Sequence, residues 1–77
     1  MDNSVKINTA ADIGRIIRKK RKEDGLSLAE AAALCNVGYR FLSDLENGKA
    51  TAQLNKVLQV LKGLGIGLWL GVGNDNG

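Results

Sequence analysis

The chain has 77 residues, a formal net charge of +3, 44% hydrophobic and 25% charged residues, and no proline. That length holds one domain with a marginal core, which natural chains commonly brace with a disulfide, a metal or a second subunit. One cysteine and no histidine exclude an internal disulfide, an ordinary zinc set and most catalytic constellations, so oligomerisation stays open while no enzyme activity, cofactor or metal is expected.

In chain order, residues 1–8 form an N-terminal arm in which Val5-Lys6-Ile7 has the alternation of a short strand. The opening Met1-Asp2-Asn3-Ser4 lacks the basic-then-apolar pattern of a signal peptide. Together with the single thiol it points to a cytoplasmic setting. Thr9 caps the first helix, Asp12 sits at the favourable end of its dipole, and Ile13, Ile16 and Ile17 form its apolar stripe. Six of the eight residues 15–22 are basic. Residues 1–26 carry the whole net charge of +3, and residues 27–77 are neutral. A cationic face of this kind fits a polyanion or a solvated helix equally well. Asp24-Gly25 ends the helix.

Ser27-x-x-Glu30 is a capping box that opens the second helix. Its inner positions are Leu28, Ala31, Ala32 and Cys35, three of them small enough for close helix approach. Cys35 reads as core, not as a reactive thiol. Asn36-Val37-Gly38 then makes the three-residue turn of a helix-turn-helix unit. The third helix covers roughly Tyr39–Glu46, with Leu42 and Leu45 inward. Arg40, Ser43, Asp44 and Asn47 lie opposite, and Tyr39 and Phe41 lie on the flanks. Asn47-Gly48 ends it. Thr51 caps a fourth helix whose core stripe reads Leu54, Val57, Leu58 and Leu61. Gly63 and Gly65 end that helix, and residues 66–72 then alternate, with Ile66, Leu68, Leu70 and Val72 on one face and Gly67, Trp69 and Gly71 on the other. This is a strand pattern. The uncharged run of residues 63–74 is far short of the ~20 apolar residues that span a bilayer, so no membrane role is expected. The glycines of that run follow a helix and open none, so they make no phosphate loop.

Ile17-Arg18-Lys19-Lys20-Arg21, Gly25-Leu26-Ser27, Glu30-Ala31-Ala32, Val37 and Phe41-Leu42-Ser43-Asp44-Leu45-Glu46-Asn47-Gly48-Lys49 together resemble the phage-repressor-like (Cro/C1, XRE) helix-turn-helix family. The Leu-Glu-Asn-Gly-Lys ending and the Arg-x-x-Arg of the first helix are the most specific parts. The continuation through Lys56-Val57-Leu58 into Gly65-Ile66-Gly67-Leu68-Trp69-Leu70 is similar to the HipB-type antitoxin branch. The resemblance implies a mainly all-α, lambda-repressor-like domain of four to five helices over residues 9–65. A C-terminal dimerisation strand over residues 66–72 and a frayed tail over 73–77 follow. It also implies a homodimer on double-stranded, palindromic operator DNA, acting as a transcriptional repressor, with a HipA-type kinase toxin as partner. A free-standing phage or plasmid repressor, or a module that mainly holds a partner inactive, are the rival readings. Leu28, Asn36 and Gly38 stand where the family usually has a glutamine, a glycine and a small hydroxyl residue.

Site residues follow from placing the unit on a duplex, with the N-terminal half of its second helix in the major groove. Tyr39, Arg40, Ser43 and Asp44 are the base-reading candidates. Arg40 suits guanine O6 and N7, and Asp44 either accepts from cytosine or orients Arg40 at i, i+4. Arg18, Lys19, Lys22, Ser27, Asn47 and Lys49 are the phosphate candidates. Arg21 falls on the inner half of its helix, where a cation needs a carboxylate, and the family pairs it with the residue at Glu46; the two form a structural ion pair. Ile66, Leu68, Trp69 and Leu70 are the dimerisation residues, because a lone strand must find a partner for its backbone. Trp69 alternatively plugs a small core.

Overall fold

The computed structural model describes residues 4–49 and 52–73. It contains four helices, α1 (Ala10–Glu23), α2 (Leu28–Cys35), α3 (Tyr39–Glu46) and α4 (Leu54–Gly63), in keeping with the lambda-repressor-like expectation at its four-helix count. Thr9 and Ser27 close reciprocal capping boxes at α1 and α2. Thr9 Oγ1 accepts from Asp12 N at 3.3 Å, and the Asp12 carboxylate accepts from the amides of Asn8 (2.9 Å) and Thr9 (3.1 Å). At α2, Glu30 N donates to Ser27 Oγ at 3.0 Å while Ser27 N donates to the Glu30 carboxylate at 2.8 Å.

All four helices end with the same two backbone bonds, the Schellman pattern that satisfies the last carbonyls. The outer bonds run from Leu26 N to Arg21 O, Val37 N to Ala32 O, Lys49 N to Asp44 O, and Ile66 N to Leu61 O. The residue that makes the reversal is Gly25, Asn36, Gly48 and Gly65 in turn, each at positive φ. Asn36, at φ 57°, performs the reversal usually given to glycine, because asparagine tolerates the left-handed region better than other side chains. Leu26, Val37 and Ile66, the residues just past three of these turns, fold back onto the core.

The core is Ile17 from α1, Ala31, Ala32 and Cys35 from α2, Leu42 and Leu45 from α3, and Val57, Val60, Leu61 and Leu64 around α4. α3 lies across α1 and α2, and α4 packs on α2. At the α2–α4 contact, a Cβ on Gly63 would stand 2.7 Å from Cys35 Sγ, so the helices approach as closely as atoms allow. Burial raises the pKa of the Cys35 thiol, which disfavours the nucleophilic thiolate.

Three expectations need correction: the α4 stripe, its cap and the strands. Of the stripe Leu54, Val57, Leu58, Leu61, the half formed by Val57 and Leu61 is buried and the half formed by Leu54 and Leu58 is not. Leu54 is 70% exposed and Leu58 42% exposed, and the buried set is Val57, Val60, Leu61 and Leu64. That phase is set by Gly63 against Cys35 and by Gln59, whose amide donates to Cys35 O (2.8 Å) and Asn36 O (3.0 Å). The N-cap of α4 is Gln53, with no side-chain cap bond; Thr51 lies outside the described residues. There is also no strand among the described residues, neither at residues 66–72 nor at Val5-Lys6-Ile7. A single chain offers these segments no edge to pair with. Trp69 is 82% exposed, so it does not plug the core, and Ile66 packs on its own chain.

The capping boxes make stability sensitive to acid. Backbone donors, Asn8 first for Asp12 and Ser27 for Glu30, hold both carboxyls below their ordinary values of 3.8 and 4.5. A depressed carboxyl stabilises fully above its unfolded value, and the gain disappears as pH falls through the lower folded value. The melting temperature is therefore expected to drop as pH falls below about 4.5. In Asp12→Asn/Glu30→Gln the drop over that window should shrink; an unchanged slope would place the acid sensitivity elsewhere.

Candidate nucleic-acid interface

The anchor of α3 is the Arg21–Glu46 pair. Arg21 Nε donates to Glu46 Oε2 at 2.6 Å and Nη2 to Oε1 at 2.9 Å, the bidentate fork geometry. Nη1 donates to Leu26 O at 2.9 Å. Both side chains are buried, and the hydrogen bonds to Glu46 raise the guanidinium pKa further. The pair ties the C-terminal end of α3 to α1 and to the turn before α2. Little of it faces solvent, with the side chains of Arg21 and Glu46 9% and 5% exposed.

A second contact holds the same helices together, and the sequence reading passed over it. Gly14 is buried on α1. A Cβ there would stand 2.4 Å from Leu45 O and 2.7 Å from Glu46 O. One turn away Gly48, at φ +80°, lies so close to Ala11 that a Cβ would stand 2.9 Å from its Cα. A glycine inside an otherwise good helix-forming run costs ~1 kcal/mol, and that cost is the signal that could have flagged it.

With its inner face fixed in this way, α3 presents the rest outward. Arg40 has a side chain 87% exposed, Tyr39 is exposed beside it, and Ser43 and Asp44 are half-buried. Gly38 holds the N-cap without a side-chain bond. Ser43 and Asn47 line a cleft of about 220 Å³ with Arg18 of α1, floored by Arg21, Leu28 and Glu46. Leu28 thus gives an apolar patch where the family usually has an amide.

The basic cluster divides by geometry. Arg15 pairs with Asp12, Lys19 with Glu23 (3.9 Å), Lys20 with Asp24 (2.7 Å), and Arg21 with Glu46. Arg18 and Lys22, four residues apart on one exposed face, have no carboxylate within 4 Å among the described residues. Arg18, Ser43 and Asn47 are therefore brought together, with Lys22 a turn further along α1. Ser27 is exposed next to Leu28, its hydroxyl accepting the cap bond. Lys49 stands apart, 3.8 Å from Asp44 Oδ1, with Arg40 Nε 3.7 Å from the same oxygen. Lys56, which the sequence reading did not single out, lies 5.7 Å over the Phe41 ring beside them.

Residues 17–68, most of the chain, match the family HTH_3, Helix-turn-helix. Over 60 residues the chain is 55% identical to the HTH-type transcriptional regulator y4mF of Sinorhizobium fredii (strain NBRC 101917 / NGR234), covering 78% of this chain and 79% of that one. The fold is similar to that in the structure of a HipA-HipB-O2-O3 complex, with a TM-score of 0.81 at 18% identity over 92% of this chain and 100% of the other. A HipB-O4 20mer complex gives 0.80 at 18% identity, with the same coverage of each chain. At that identity the likeness is one of fold. The chain belongs to the XRE-type helix-turn-helix family, that of HTH-type transcriptional regulators.

Proposed function

We propose that the chain is a sequence-specific DNA-binding repressor that acts as a homodimer, of the HipB-like antitoxin kind that represses its own operon and holds a HipA-type kinase toxin. The outward face of α3 carries this reading. Arg40 projects into solvent from the first turn of a short helix whose other face is clamped by a buried ion pair, beside a cleft that gathers Arg18, Ser43 and Asn47. A rigid short helix with an exposed guanidinium and flanking cations suits a major groove, with the cations on phosphates and Arg40 on guanine. Two such helices about one DNA turn apart would read a palindrome.

The dimer rests on the exposed apolar groups that one chain leaves uncovered, Leu68, Trp69, Leu70 and Val72 in the C-terminal segment. Their alternation gives a strand that a second copy can complete. The HipA-HipB-O2-O3 complex, similar in fold, supports a toxin partner. A kinase reading frame next to this one, with a product that co-purifies with the chain, tests that half; without it the chain is a free-standing phage or plasmid repressor.

Arg40→Ala is expected to lose ~1–3 kcal/mol of discrimination between its selected site and random DNA, read by fluorescence anisotropy at fixed salt, with the fold intact by circular dichroism. An unchanged preference would remove Arg40 from base reading. Cutting the chain after Gly65 should turn a dimer into a monomer in sedimentation velocity. A truncated chain that stays dimeric places the interface elsewhere.

A further inference from the structure

Asp44 is the feature that phosphate contacts do not account for. One carboxylate oxygen faces Arg40 Nε at 3.7 Å and Lys49 Nζ at 3.8 Å. It lines a cleft of about 230 Å³ with Phe41, Lys49, Ala52, Gln53 and Lys56. An acid on the face that meets phosphates weakens binding to every duplex. Exposed ion pairs of this length add little stability, so folding does not explain the arrangement.

We propose that Asp44 is a specificity-determining positioning residue. It holds Arg40 and Lys49 in a shared ion-pair group and sets the ratio of specific to non-specific binding without reading a base itself. The inference rests on the DNA-binding reading above. In the free protein the carboxylate limits the orientations of the Arg40 guanidinium and neutralises one of the two cations. On random DNA the acid opposes the phosphates with no compensation. On the right sequence Arg40 reaches its base already oriented, so less side-chain freedom is lost per bond formed. Removing the charge should therefore improve the wrong complexes and spoil the right one.

The test uses the full chain, a duplex enriched by the parent protein from a random-sequence pool, and an unselected pool as competitor. Asp44→Asn should bind the unselected pool several-fold more tightly, and its selected-to-random affinity ratio should fall about tenfold. In an Arg40→Ala background the same change should leave the ratio within twofold, because the effect passes through Arg40. An effect on the ratio that persists in that background makes Asp44 a direct reader and overturns the proposal. So does a ratio that Asp44→Asn leaves unchanged in the parent. In the DNA-free protein, the Arg40 side-chain Nε–H resonance should shift in Asp44→Asn and stay in place in an Asp24→Asn control. No shift would overturn the restraint whatever the DNA result. A shift combined with no enrichment of any duplex would instead overturn the DNA-binding reading and the specificity role built on it.

Discussion

Glu46→Ala is expected to lower the unfolding free energy by about 3–5 kcal/mol, because it leaves a buried guanidinium without its counter-charge. A domain of this size holds only ~4–12 kcal/mol in all, at ~0.05–0.15 kcal/mol per residue, so the variant should lie near the edge of folding at 25 °C. Arg21 would keep its bond to Leu26 O but lose both bonds to the carboxylate. Urea denaturation followed by circular dichroism reads the effect as a lower midpoint at unchanged slope. If the midpoint does not move, the pair is not the clamp on α3. Replacing both partners, Arg21→Met with Glu46→Leu, should recover most of the loss, since apolar groups of similar volume often substitute for a buried ion pair without net cost. If the recovered double variant also binds DNA, Arg21 acts through α3; a folded double variant with no affinity would make Arg21 a phosphate ligand.

How much of this could be read from the sequence depends on the range of the interactions involved. The starts of α1 and α2 were legible because their caps are written within four residues, Thr9 with Asp12 and Ser27 with Glu30, although at α1 only the structure shows that the two close a reciprocal box. The ends were legible for the same reason, with Gly25, Asn36, Gly48 and Gly65 supplying the left-handed residue. Periodicity found the right residues on α2 and α3; on α1 it found Ile17 and Ile13 but also took Ile16, which does not join the core, and passed over buried Gly14. On α4 it allowed two overlapping stripes, and only contact with Cys35 and Asn36 of α2, more than twenty residues away in sequence, selects the one through Val60 and Leu64. The basic cluster was visible, and so was the pairing of Arg21 with Glu46. Which of the other cations are already paired was not, because that depends on Asp12, Glu23 and Asp24 reaching particular partners. The C-terminal alternation is a strand pattern that makes no strand among the described residues; under the proposed dimer its hydrogen-bond partner would be a second copy.

Gly14 separates helix propensity from packing, because the two predict opposite signs for one substitution. On propensity alone, Gly14→Ala should stabilise α1 by ~1 kcal/mol. The new Cβ, however, would stand 2.4 Å and 2.7 Å from the carbonyl oxygens of Leu45 and Glu46. These are backbone atoms of the last turn of α3, with no rotamer that could move them aside. To relieve the overlap α3 must shift away from α1, which stretches the 2.6 Å and 2.9 Å bonds of Arg21 to Glu46. It also opens the contact of Ala11 with Gly48. Overpacking of this kind costs about 1–3 kcal/mol net, so the variant should unfold at lower temperature than the parent despite its better helix former. The DNA consequence should exceed the stability consequence. A displaced α3 misplaces Arg40, Ser43 and Asn47 relative to Arg18, so affinity for the selected duplex should fall more than tenfold even where the variant is fully folded. Calorimetry and anisotropy on the same preparation check both parts. A Gly14→Ala protein more stable than the parent would mean that α1 and α3 have room that the close approach denies. A destabilised variant with unaltered DNA affinity would mean that α3 is positioned by the Arg21–Glu46 pair alone.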